Sequence, residues 1–200
     1  TKINRYFDKK YIINNKKKYK LIYLNLYTLN LYEFTEHSNI QLFFNLFLFS
    51  LVNLNKGGSF VYSVRSITLK ATADICVMGK KYFKDVIIYK YKIKNRIKFS
   101  GLVVIFKEFK GIPKKDLDGL FKIFDKLQKN DPTSCSFNIK DPKIRKKYGI
   151  TKPITKESVF TYPEQFLDLP IDSPEYDFIR KVNDEFYLEK IIFVKKMIEN

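Results

Sequence analysis

The stretch Gln41–Val64, QLFFNLFLFSLVNLNKGGSFVYSV, decides the fold. Gln41 to Leu54 is an apolar run of helical length, the pair Gly57-Gly58 follows, and Ser59 to Val64 is rich in residues that favour strands. Helix, glycine stop and buried strand in that order read as the close of an αβ unit in a parallel sheet.

Working outward, Tyr19 to Leu26 (YKLIYLNL) is apolar enough for an interior strand, and Thr35, Ser38 and Asn39 offer N-caps for the helix that follows. Downstream, Thr68 to Phe83 has helical character and leads into two β runs, Asp85 to Lys90 and Leu102 to Phe109. The order β, α, β, α, β, β across residues 19 to 110 predicts an α/β fold. Its parallel sheet carries covering helices, and the two strands joined without a helix form an antiparallel pair at its end. Beyond residue 111 the signals change. Lys114 to Leu127 spaces Leu117, Leu120, Phe121, Phe124 and Leu127 on one helical face, Lys129 to Phe160 reads as loops, and Ser173-Pro174-Glu175 starts a helix over Tyr176 to Ile198.

With 200 residues, 45% hydrophobic and 16% aromatic, the chain has material for one core filled largely by Phe and Tyr, plus an extension. Cys76 and Cys135 lie far apart without a CxxC partner, so the expectation is reduced intracellular thiols rather than zinc or a disulfide framework. No metal constellation, Ser/His/Asp set or paired carboxylates stand out. The longest apolar stretch, Leu42 to Leu54, is broken by Asn45, Ser50 and Asn53 and is too short for a bilayer-spanning helix. The first twenty residues are basic and Asn-rich, unlike a secretory signal, and Thr1 fits a processed product or a fragment.

Charge is uneven. Residues 1–150 carry 31 Lys/Arg against 11 Asp/Glu, whereas residues 151–200 carry 7 against 10, for a net +17. Such a field favours polyanions, nucleic acid before an anionic membrane. The same Lys, Asn, Ile, Tyr and Phe usage also fits an AT-rich coding genome, which raises lysine without functional cause. Residues 1–18, with Lys16-Lys17-Lys18, read as a basic arm or solvated face. Lys90, Lys92, Lys94, Arg96 and Lys98 form an every-second-residue comb that reads either as a phosphate-contacting RNA-binding ridge or as a lysine-protected edge strand. The run Lys140 to Lys152 reads as a solvated linker, and the lone His37 as a surface or capping residue. Tyr23 and Tyr62 are core material, or base-stacking platforms if their strands end at an open groove.

Three pieces of residues 41–111 resemble the C-terminal half of FtsJ/RrmJ-type ribose 2′-O-methyltransferases, the family that includes mRNA cap methyltransferases of eukaryotes and large DNA viruses. LNKGGSFVYSV is similar to the family's entry into its fifth strand. Lys81-Tyr82-Phe83 followed by DVIIYK is similar to the start of the sixth, and NRIKFSGLVVIFKEFKG, with Arg96 and Ser100, to the segment leading into the last strand. The resemblance implies a partial Rossmann-like methyltransferase sheet with an antiparallel last strand over residues 19–111, flanked by the arm (1–18) and a helical and loop C-terminal extension (112–200).

It also implies a Lys-Asp-Lys-Glu tetrad in which a lysine of lowered pKa deprotonates the ribose hydroxyl for attack on the methyl group of S-adenosylmethionine. Here the aspartate position aligns with Asn25, the second lysine with Ser63 and the glutamate with Gly101, while the first lysine falls outside the part of the fold present. A serine hydroxyl is too weakly basic to replace an amine, and glycine has no side chain. The neighbours Tyr62 and Val64 restore nothing, and Arg65 is always protonated. No glycine precedes Gly57, so the cofactor-cradling loop is absent and S-adenosylmethionine is expected only if another chain or segment supplies the missing half.

The expectation is therefore an RNA-associated, catalytically degenerate methyltransferase-like protein, a pseudoenzyme acting in RNA binding or scaffolding. The alternatives are an active RNA cap 2′-O-methyltransferase completed by another chain, and a structural component of a virion or ribonucleoprotein particle. A half-sheet leaves an unpaired edge, so residues 1–60 are expected to contact another protein chain, in the cytoplasm, a viral factory or a virion.

Overall fold

A computed structural model describes residues 8–15, 17–24, 36–64, 66–90, 101–129 and 165–198. In chain order these are α1 (Lys9–Asn14), β1 (Tyr19–Leu24), α2 (Glu36–Asn53), β2 (Leu54–Val64), α3 (Lys70–Tyr82), β3 (Phe83–Lys90), β4 (Leu102–Phe109) and α4 (Lys114–Lys129). A 3₁₀ turn (Pro174–Tyr176) then leads into α5 (Asp177–Ile198).

The strands form one open mixed sheet in the order β1-β2-β4-β3. β1 and β2 are parallel, joined through α2, while β4 runs antiparallel to both its neighbours. The expected antiparallel end pair is thus β3 and β4, but β4 lies inside the sheet, between β2 and β3. α3 carries the chain past that slot, so β3 is parallel to β2 one strand further out.

The glycine pair does not stop the helix. α2 runs to Asn53, whose side-chain amide donates to the carbonyls of Phe49 and Ile12, each at 3.0 Å. Lys18 Nζ caps the carbonyl of Val52. β2 begins at once, and Gly57 (φ +79°) sits inside it, in a bulge that separates the pairs Tyr19–Leu54 and Leu21–Ser59. At Gly58 a Cβ would lie 2.9 Å from the Asn55 carbonyl and 3.1 Å from that of Lys20, so both glycines serve the bulge, one by conformation and one by close approach.

α2 is apolar all round because it is buried all round: every residue from Leu42 to Leu51 is inaccessible. One side meets the sheet, where Phe43 stacks on Tyr62 (4.3 Å between centroids) and Phe47 packs on Phe83 and Phe106. Its other sides meet an outer layer in which Tyr11 of α1 stacks on Phe49, Phe166 stacks on Phe44, and Gln41 donates to the last-turn carbonyl of Leu127 in α4. Within the segment read as a basic arm, Lys9–Asn14 is therefore a docked helix with Ile12 fully buried, held also by Lys9 to Asp125 at 2.6 Å. Phe106 is the centre of the core, within 5.4 Å of Phe47, Phe60 and Phe83.

Among the described residues, no helix packs on the opposite face of the sheet, although Ser63 on that face is buried. Strand alternation and register set Tyr23, Val61, Ile105 and Ile87 in one row across all four strands, with Leu21 and Tyr89 beside it. Leu21, Tyr23, Ile87 and Tyr89 are 58%, 57%, 45% and 56% exposed.

Candidate functional site

At the end of the sheet where β2 finishes and β4 begins, Ser63 pairs with Val103 and Val64 with Leu102. Gly101 directly precedes Leu102, so the topology brings Ser63 and Gly101 onto neighbouring strands at the same end, and both are buried. Asn25 follows Leu24, which pairs with Tyr62, and lies outside the described residues.

Among the described residues, a hydroxyl and a bare glycine are what this end of the sheet offers. The nearest described cation by register, Lys90, pairs with Leu102, but Tyr89 shares the face of Val103 and Ser63, so Lys90 belongs to the other face. Its ammonium lies 5.1 Å from the Phe186 ring centroid of α5, a cation–π contact. Of the predicted comb, Lys92, Lys94, Arg96 and Lys98 lie outside the described residues, as do Arg65, Cys135 and the Lys140–Lys152 run. His37 falls in the first turn of α2, with its side chain outside the described set.

Tyr62 is not available to a base. It is fully buried against Phe43, and burial pushes its phenol far above the ordinary value. Its hydroxyl and that of Thr72 have no hydrogen-bond partner, and both residues line a cavity of about 10 Å³, the size of one water molecule. Tyr23, by contrast, is exposed on the open face.

Two carboxylates that sequence reasoning missed organise the α3 end of the core. Asp74, wholly buried, accepts from the backbone N–H groups of Phe166 (2.6 Å) and Leu167 (3.0 Å), from the Tyr176 hydroxyl and from Lys70 Nζ (3.2 Å). Lys70 also donates to the carbonyl of Leu167 at 2.6 Å. Desolvation first, then this hydrogen bond to Asp74, raises the Tyr176 phenol. Saturated by four donors, Asp74 is a clasp for the C-terminal segment rather than a general base. Its signal was legible: an aspartate among Ala71, Ala73 and Ile75 needs internal partners.

Glu36, the first residue of α2, accepts from the N–H groups of Thr68 (2.9 Å) and Leu69 (2.8 Å) and from the hydroxyls of Ser66 and Thr68. It thereby holds the segment that enters α3, whose N-cap residue Leu69 makes no side-chain cap hydrogen bond. Cys76, also on α3, is fully buried, and desolvation followed by the Glu36 and Asp74 charges raises its thiol, the opposite of an activated nucleophile.

S-adenosylmethionine, which the resemblance implies, does not fit the described residues at this end of the sheet. Ser63 and Gly101 carry no charge or amine, and the cavity beside Tyr62 and Val64 is far too small for a nucleoside. A larger groove of about 360 Å³ lies between α1 and α4, lined by Ile13, Val52, Leu117 and Phe121 with Lys9, Lys122, Asp118 and Asp125 around them. Val52 precedes the start of β2, whereas Ser63 is near its finish, so the groove belongs to the other end of the sheet. Among the described residues there is no cluster of His, Cys, Asp or Glu able to hold a metal, and no helix long and apolar enough to cross a membrane.

No protein-family model matches the chain, and no curated protein matches it significantly.

Proposed function

We propose that this chain is an RNA-associated protein built on the C-terminal half of an FtsJ-like, Rossmann-type methyltransferase fold, catalytically degenerate and serving as an RNA-binding or scaffolding subunit. The observation that supports the fold half of this reading is the strand order. Two strands joined in parallel through a helix, a further helix and strand, and a last strand antiparallel to its neighbours agree with what the resemblance implies. Loss of catalysis is inferred from Ser63 and Gly101 at the matching positions, where neither residue can hold or take the ribose proton. RNA is the partner favoured by the net charge of +17.

Calorimetric titration of the chain with S-adenosylmethionine, alone and with capped RNA, tests the reading. No cofactor binding together with salt-sensitive RNA binding is expected. Saturable micromolar cofactor binding would overturn the degenerate assignment and favour an active methyltransferase. Absence of RNA binding at low salt would overturn the RNA half.

A further inference from the structure

We infer that a single water molecule is bound as a structural ligand at the junction of α2, β2 and α3, held by the hydroxyls of Tyr62 and Thr72. Both side chains are buried, at 0% and 2% exposure, and among the described residues neither hydroxyl has a hydrogen-bond partner. Both residues line the same cavity of about 10 Å³, which is room for one water. Its other walls are Ile40 and Phe43 of α2, Val64 at the end of β2, and the polar pair Glu36 and Ser66. A buried hydroxyl without a partner costs stability. Here two of them, one from a strand and one from a helix, border one small space, and a shared water satisfies both.

The chemistry of the walls selects water. Burial holds the Tyr62 phenol far above its ordinary value, so it keeps its proton and donates. The Thr72 hydroxyl can donate and accept. A water that accepts from Tyr62 has acceptors for its own protons in the Thr72 oxygen and in the Ser66 oxygen, since Ser66 gives its proton to Glu36 at 2.7 Å. Three such partners are usual for an internal water. A metal cation suits the site less well. The Glu36 carboxylate is already occupied by the N–H groups of Thr68 and Leu69 and the hydroxyls of Ser66 and Thr68, which leaves only neutral hydroxyls as ligands. The water completes the polar seam that Glu36 begins, tying α2 and α3 to the end of β2 that also carries Ser63. The inference rests on the cavity and its two hydroxyls, and holds whether or not the chain descends from a methyltransferase.

Oxygen-17 magnetic relaxation dispersion of the full chain, which counts waters that stay bound longer than the protein takes to tumble, tests this against Tyr62→Phe, Thr72→Val and the double variant. The count is expected to fall by one in the double variant. Thermal unfolding supplies the sign. With the water bound, each single substitution removes one of its partners and lowers the midpoint by about 2–4 °C. The double variant then loses less than the sum, because both changes act on the same molecule. Should the double variant not fold, Thr72→Val alone, which keeps the shape of the side chain, carries both readouts. A midpoint that rises in either single variant would show a dry cavity whose hydroxyls cost only desolvation. A lowered midpoint with an unchanged water count would mean that the two hydroxyls bond each other directly. A wild-type midpoint that climbs with sodium or potassium at constant ionic strength, and does not in the double variant, would put a cation there. Each of these three results overturns the inference.

Discussion

The two faces of one sheet are made from alternate residues of the same four strands, yet they are covered unequally. On the covered face of the central strands Phe60, Tyr62, Val104 and Phe106 are buried beneath α2 and α3; on the other face Tyr23, Ile87 and Tyr89 of the edge strands are about half exposed, while Val61 and Ile105 between them are partly buried. Apolar area removed from water contributes roughly 25 cal/mol per Å², so the covered face contributes the larger share of the sheet's stabilisation and the half-exposed residues of the other face the smaller.

The sharpest way to break this comparison is to truncate matched residues. Phe106→Ala removes the ring on which Phe47, Phe60 and Phe83 converge, and is expected to cost about 3–5 kcal/mol of unfolding free energy. Ile87→Ala, opposite Ile105 on the open face, is expected to cost less than about 1 kcal/mol in the isolated chain. Denaturant unfolding of the two variants checks this, and equal costs would mean that the open face is already covered.

Gly79 sharpens the packed side of the comparison. A Cβ there would come within 2.3 Å of Phe106 Cε1 and 3.1 Å of a Val86 methyl, so α3 rests directly on the sheet. Gly79→Ala should lower stability by about 1–3 kcal/mol through overpacking, although alanine is the better helix former. A neutral or stabilising result in a thermal melt would show that α3 can lift away.

The covered face also holds a misfit. Both polar atoms of the Asn45 side chain are buried in α2 without a hydrogen-bond partner. Asn45→Leu keeps the branching and removes that desolvation cost, and is expected to raise stability by about 1–2 kcal/mol. A loss of stability on denaturant titration would mean that the amide has a partner or that the site has no room for the added methyl groups.

The smallest effect is electrostatic and lies at the surface. A hydrogen bond from Lys81 holds the Asp116 carboxyl below its usual range, and the Lys81 ammonium is raised in turn. A depressed carboxyl contributes stability above its unfolded value of about 4 and loses it as pH falls through the folded value. Asp116→Asn should therefore flatten a shallow acid limb below about pH 4 and leave the neutral plateau almost unchanged. An identical acid limb in the variant, read by thermal unfolding against pH, would exclude the pair as its source.

Much of the architecture was legible because hydrophobic period and length are local properties. The apolar run Gln41–Leu54, the strand Ser59–Val64 and the amphipathic spacing of Leu120, Phe124 and Leu127 each state their own element, and the last its buried side. The role of Gly57-Gly58 was misread, since a positive φ serves a helix cap and a bulge equally, and only the pairing of β2 with β1 distinguishes them. The basic arm was misread at Lys9–Asn14 because charge counts hide a short helix whose one buried residue, Ile12, docks on α2. At the candidate site, the loss of an amine at Ser63 and of a side chain at Gly101 could be seen in residue types alone.

By itself the sequence determined which segments fold, which side of each helix is apolar and which chemistry is missing, because side-chain type and spacing carry that information. Only the tertiary structure decided that β4 enters between β2 and β3, that Asp74 and Glu36 bind segments roughly 30 to 100 residues away, and that edge-strand residues on one face of the sheet are left half exposed. These depend on pairings between distant residues, whose free energy comes from packing and hydrogen bonds that no local pattern encodes.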